Sequence, residues 1–123
     1  MDVAPAGRMT PAAIIELAFS VYNIPAAHAM IRGQGVERTN IPRARHLAYY
    51  LLTKFAGLTI AAVAEIFDEN KFTCRSGCEY AQIAIESKAL TWRNHAMKKK
   101  YQECVNRIGE PPLRPSPKAA LIR

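Results

Sequence analysis

Four arginines, Arg32, Arg38, Arg43 and Arg45, fall in the stretch 32–45 beside a single acid, Glu37. Guanidinium groups at this density suit phosphate oxygens, and the arginine fork also matches the edge of guanine. Farther along, Arg75, Ser76, Glu79, Tyr80 and Gln82 are the exposed polar positions of one expected helix. Arginine pairs with guanine and glutamine with adenine, while serine and tyrosine hydroxyls reach phosphate. A third basic group is Lys98-Lys99-Lys100. Three consecutive residues span most of a helical turn and cannot all face one strand, so phosphate contact and a solvated face both stand open for them.

Enzymatic chemistry has no comparable anchor. His28, His46 and His95 lie far apart, and no nucleophile, base and orienting group come together in the sequence. No phosphate-binding G-x-x-x-x-G-K-[ST] loop occurs. The three cysteines, Cys74, Cys78 and Cys104, are too few and odd in number for a disulfide framework. Cys74 and Cys78 lack the C-x-x-C spacing and a nearby histidine, so they read as small apolar side chains. No enzyme activity, metal or cofactor is expected.

The elements that position these residues read as helices throughout, because no stretch sustains period-two alternation. Thr10 and Pro11 open a first helix with Ile14, Ile15, Ala18, Phe19 and Tyr22 on its apolar face. Asn23 breaks it. A short second helix runs from Pro25 to about Ile31, and Gly33-Gln34-Gly35 opens a loop. Pro42 opens a third helix to Phe55 with Leu47, Tyr50, Leu51 and Phe55 inward; Tyr49, beside Tyr50, is expected to be the more exposed. Gly57 ends it, and Thr59 caps a fourth, short helix carrying Ile60, Val63, Ile66 and Phe67.

Asp68-Glu69-Asn70 reads as a turn, and Phe72 is expected to close over the core. Ser76-Gly77-Cys78-Glu79 has the form of a capping box that would start the fifth helix, with Cys78, Ala81, Ile85 and Ala89 inward. Thr91 caps a last helix to Ile108, in which Trp92 and Tyr101 are expected in the core rather than as a base-stacking pair. Pro111, Pro112, Pro115 and Pro117 then exclude regular structure. The expected organisation is a flexible arm at 1–9, one all-α domain of about six helices at 10–110, and a disordered, Pro-rich basic tail at 111–123. In that tail Arg114, Lys118 and Arg123 could follow DNA or simply solubilise the chain.

At 123 residues, half of them hydrophobic, the chain can bury one modest core. Its net charge of +7 favours polyanionic partners. That charge is uneven: residues 31–58 carry +4, residues 59–90 carry −2, residues 91–110 carry +3, and the tail carries +3. No apolar run reaches the length of a membrane span, and no basic-then-apolar leader opens the sequence, so a cytoplasmic protein without a membrane partner is expected.

A short helix, a tight turn and a longer helix with a polar face is the layout of a helix-turn-helix, whose second helix enters the major groove. At this point the chain resembles the C-terminal DNA-binding domain of the bacterial replication initiator DnaA, which carries a helix-turn-helix like that of the Trp repressor. The resemblance spans about Ala13 to Ile108. The segment AIIELAFSVYNIPAAHAM resembles the family's first helices. RARHLAYYLLTKFAGLTIAAVAEIF resembles its RPRQ-x-A-M-Y-L helix and the first helix of its helix-turn-helix. Ala44 stands for the family's proline and His46 for its glutamine. The resemblance implies that Arg43 and Arg45 reach the minor groove.

Where the family has GGRDHTTV-x-H-A, this chain has DENKFTCRSGCEYA, without the Asp-His-Thr-Thr block that specifies the family's origin box. Aligning Cys78, Ala81 and Ile85 with the family's inward residues requires two or three extra residues in the turn, and puts Arg75, Ser76 and Gly77 at the base-contacting positions.

The expected DNA-facing set is therefore Arg38, Arg43, Arg45, Thr59, Lys71, Arg75, Ser76, Glu79 and Tyr80. The expected function is sequence-specific duplex DNA binding by a stand-alone regulator of transcription or replication, associated with the nucleoid and without ATPase activity. The competing expectation is an interaction module for replication or transcription proteins that kept the fold and lost DNA.

Overall fold

The computed structural model describes residues 8–33, 35–88 and 91–113, and these form a small all-α bundle with no strand among them. Five α-helices follow one another: α1 (Pro11–Ser20), α2 (Ile41–Phe55), α3 (Ile60–Ile66), α4 (Lys71–Glu86) and α5 (Trp92–Ile108). The short second helix of the sequence reading is a 3₁₀ turn, Ala26–Met30, and another 3₁₀ turn spans Val36–Arg38. The expectations on Ala89, the residues before Arg8 and those after Leu113 lie outside the described residues. Among the described residues, no helix is long and apolar enough to cross a membrane.

Local chemistry sets the helix starts. Thr10, Thr59, Asn70 and Thr91 each accept a hydrogen bond from the backbone N–H three residues on, at 2.7–3.1 Å. Each such cap satisfies a donor that the first helical turn leaves unpaired, and is worth about 1 kcal/mol. Gly109, at φ +65°, ends α5 in the left-handed conformation that costs glycine no steric strain.

The central element is α2. Eleven of its fifteen residues are buried, on every side of the helix, so it must be enclosed by the others. It packs against α1, α3 and α4, and α5 closes the bundle over α4 and α1. Tyr50 and Tyr49 are both inside, at 0% and 2% exposure, which corrects the expectation that Tyr49 faces outward. The reason is a third layer: α3 and its turn lie over the Tyr49 side of α2, and Phe67 meets Tyr49 edge-on at 5.0 Å. Tyr50 donates a 2.6 Å hydrogen bond to Glu86 at the end of α4. Its ring meets Tyr101 of α5 edge-on, and Lys54 lies over both rings.

Both ends of the domain reach further than the sequence suggests. Arg8 pairs with Glu110 at 3.5 Å and reaches the carbonyl of Phe55. The N–H of Leu113 donates to the carbonyl of Lys54 at 2.8 Å, with its side chain against Gly57. Arg8 and Leu113 therefore belong to the packed unit, not to the flexible arm and tail.

Candidate nucleic-acid interface

The sequence between α2 and α5 folds as a two-turn helix, a four-residue link and a sixteen-residue helix. Val63 and Ala64 of α3 are buried, whereas Ile66, one of the apolar residues of this helix, is exposed. The link starts at buried Phe67, turns at Asp68 (φ +52°) and ends at Asn70, whose side chain caps α4. Arg32 braces it from the basic loop: Nη2 donates to the carbonyl of Phe67 at 2.8 Å and to the Glu69 carboxylate at 3.2 Å.

This start corrects the register expected for α4. Ser76 is not a cap. It lies in the second turn of a helix that begins at Lys71 after a link of four residues, Phe67 to Asn70. Asn70 satisfies the cap position by the same side-chain geometry as Thr59, and the apolar spacing of Cys74, Cys78 and Ala81 continues unbroken from it. Phe72 consequently falls on the outer face, 79% exposed, rather than over the core.

The inner face of α4 consists of small residues, Cys74, Gly77, Cys78, Ala81 and Ala84. These let it approach α2 so closely that a Cβ on Gly77 would stand 2.7 Å from Cδ2 of His46 and 2.8 Å from Cε2 of Tyr49. Burial pushes the thiols of Cys74 and Cys78, and that of Cys104 in α5, up to about 12. They remain neutral packing groups at physiological pH.

The outer face of α4 presents Lys71, Phe72, Thr73, Arg75 and Ser76 in its first two turns, all exposed. Phe72 and Thr73 are absent from the sequence-derived set, and the cue that would have found them is Asn70 as cap. Glu79 is half-buried and Tyr80 is exposed. Gln82 turns to Glu86, to which it donates at 3.1 Å. Phe72, Thr73, Ser76 and Tyr80 share a shallow cavity of about 420 Å³ with His46 of α2.

The basic loop residues divide into two groups. Arg45 is 9% exposed; its Nε donates to the carbonyl of Ala29 at 2.7 Å and its Nη2 to the carbonyl of Ile31. With Arg32 it forms a relay of side chains from α2 to the loop and from the loop to the link before α4. Arg38 is exposed. Arg43 is half-buried at the start of α2, with Nη1 donating to Asn40 at 3.2 Å and toward the Thr39 carbonyl at 3.4 Å. Thr59 is exposed at the start of α3, and its hydroxyl caps that helix. The structure thus brings Arg43 together with the Tyr80 side of α4, and groups Lys71, Arg75 and Ser76 at its start. It assigns Arg45 to the interior.

In α5, Trp92 is 72% exposed, which corrects its expected place in the core. It is the first residue of the helix, beyond the reach of the bundle's apolar centre, whereas Met97, Cys104 and Ile108 fill that role. Lys99 is exposed, and Lys100 lies over the ring of Tyr22 at 5.4 Å.

His46 sits between Tyr49 and Tyr80, with ring centroids at 6.2 and 5.3 Å, and its buried Nδ1 has no hydrogen-bond partner among the described residues. Burial, reinforced by the charges of Arg45 and Arg43, lowers its pKa from 6.5 to about 4. The unfolded chain therefore binds this proton at a higher pH than the folded one does. The stabilisation held by neutral His46 is complete above pH 6.5 and is lost as the pH falls toward 4. Acidification across that window is expected to lower the unfolding free energy by about 2–3 kcal/mol. Urea titrations at a series of pH values check this, and His46→Phe should flatten the response between pH 6.5 and 4.

Comparison of the chain with protein-family models, with curated proteins and with solved structures finds no match.

Proposed function

We propose that the chain is a duplex-DNA-binding domain that places the start of α4 in the major groove, and that it acts as a regulator of transcription or replication on the nucleoid. The observation that carries this reading is the pairing of α3 and α4 through a four-residue link, with Lys71, Arg75 and Ser76 exposed on the first two turns of the longer helix. A helix-turn-helix reads DNA with this part of its second helix. Arg75 supplies a fork for guanine, Thr73 and Phe72 offer methyl and ring surface to thymine methyl groups, and Lys71 and Ser76 supply phosphate contacts. Arg43, at the start of α2, lies on the Tyr80 side of α4, and Arg38 is exposed in the basic loop; both suit the DNA backbone or the minor groove. The net charge of +7 provides the nonspecific attraction.

Selection from a random duplex library, followed by a salt titration on the enriched pool, tests the reading. An enriched motif with a steep salt dependence is the expected result. Arg75→Ala should cost about 1–3 kcal/mol and relax preference at one position, while Lys71→Ala should weaken all sequences alike and reduce the salt slope by about one. Motif-free binding that vanishes near physiological salt would sink the proposal.

A second reading has its own observation. Phe72, Ile83 and Trp92 are 79%, 66% and 72% exposed, and Tyr80 is 44% exposed, all on α4 and the start of α5. Large apolar side chains gathered at a surface suit a protein partner. If Phe72→Ser abolishes capture of a stoichiometric protein from nuclease-treated extract and no DNA motif is selected, this reading replaces the first.

A further inference from the structure

Between the second half of α4 and the first half of α5 lies an open cavity of about 640 Å³, lined also by the turn after α1 and by the start of α2. This volume is in the range of small-molecule sites, roughly 300–1,000 Å³. Ile83 and Met97 contribute apolar wall, and Tyr22, Tyr80 and Trp92 contribute aromatic surface. Among the described residues, Arg43 and Lys100 line it together with asparagine and threonine side chains, and none of those lining residues is an aspartate or glutamate.

Both cations bear on one ring. The Lys100 ammonium stands 5.4 Å from the centroid of Tyr22, and Arg43 is near enough to act electrostatically on the Tyr22 hydroxyl. Positive charge beside apolar and aromatic walls, with no acid among the described lining residues, selects an anion that carries a ring. We propose that this cavity binds a small aromatic carboxylate, its ring against Tyr22, Tyr80 and Trp92 and its carboxylate between Arg43 and Lys100. The site shares Arg43 with the DNA reading but needs neither Lys71 nor Arg75, and its test contains no DNA, so either reading can fail without the other.

Trp92 is the only tryptophan of the chain and lines the cavity, so its fluorescence, excited at 295 nm, reports on the site. The probe is 3-phenylpropanoate, with neutral 3-phenylpropanamide as the uncharged counterpart of the same shape. The expected result is a saturable change in Trp92 emission with the acid and about tenfold weaker binding of the amide, the effect of one charge-assisted contact.

Lys100→Gln and Arg43→Gln should each weaken the acid about tenfold and leave the amide unchanged. Ala96→Phe, which fills the cavity from an exposed position on α5, should abolish binding, and Lys99→Gln, which is exposed and does not line the cavity, should change nothing. Helical circular dichroism of each variant separates loss of the site from loss of the fold, and Lys100, half-buried at the cavity and outside the hydrophobic core, provides a variant that keeps that core intact. Equal binding of acid and amide, or indifference to Lys100→Gln, would overturn the proposal. So would Trp92 emission that varies with protein concentration in the absence of probe, since a second copy of the chain would then occupy the face.

Discussion

Replacing Arg45 by alanine is expected to lower the unfolding free energy by about 3 kcal/mol, roughly the value of two buried hydrogen bonds from a charged donor. Its guanidinium donates to the carbonyls of Ala29 and Ile31, and the group is 9% exposed. Without it, both carbonyls lose their partner, that of Ala29 in a buried part of the fold, and the 3₁₀ turn Ala26–Met30 loses its tie to α2. The consequence extends further, because Arg32 in the same loop holds the link before α4 through Phe67 and Glu69.

Arg45→Lys should recover less than half of the loss, since a single ammonium cannot span two carbonyls that a planar fork reaches together. Arg45→Met keeps the packing of the stem and removes only the donors, so it should fall close to alanine. Equilibrium urea denaturation measures all three. DNA binding, once a motif is in hand, separates this role from the minor-groove contact that the family resemblance implies for Arg45. A structural Arg45 leaves the salt slope of binding unchanged in Arg45→Met, whereas loss of a phosphate or groove contact would reduce it by about one. An alanine variant as stable as the parent would refute the interior role.

Gly77→Val is expected to be destabilising by about 3 kcal/mol, and Gly77→Ala by about 1 kcal/mol, although alanine is the better helix former by about 1 kcal/mol. The sign of the alanine result is the informative part. A glycine inside an exposed helix is improved by alanine. Here the added Cβ would stand 2.7–2.9 Å from ring atoms of His46 and Tyr49. Neither ring can withdraw freely: Tyr49 is fixed edge-on against Phe67, and His46 lies between Tyr49 and Tyr80. α4 must then move off α2, or α2 must repack. Thermal or urea unfolding of the two variants decides it. A stabilised Gly77→Ala would mean that α4 does not cross α2 at this separation.

Much of the bundle was legible from the residues themselves. Thr10, Thr59 and Thr91 mark helix starts because a hydroxyl before an apolar-periodic run has a local backbone donor to satisfy. Asn23, at φ +60°, breaks the chain after α1 because a short polar side chain tolerates the left-handed conformation. These are contacts within three or four residues, and sequence encodes them directly. The start of α4 is not legible in the sequence for a related reason. Asn70 and Ser76 both head plausible caps, and Glu79 completed a capping box for the wrong one. The local rule cannot choose between two caps when the deciding fact is that Gly77 lies against α2.

The candidate surface shows the same division. The sequence by itself determined the helical class, the positive charge, the exclusion of a disulfide framework and the presence of arginines ahead of a helix pair. Side-chain type and short-range spacing decide all of these. Only the tertiary structure decided which arginines face outward. Arg43 and Arg45 are two residues apart on α2, yet one is half-exposed and the other is spent on the carbonyls of a turn sixteen residues earlier. It also decided that Tyr49 is enclosed, that Phe72 and Trp92 are exposed, and that Tyr22, Arg43, Tyr80 and Lys100 from four helices or turns meet around one cavity. Burial and convergence depend on which distant segment packs over a residue, and helical periodicity within one segment carries no record of its neighbours.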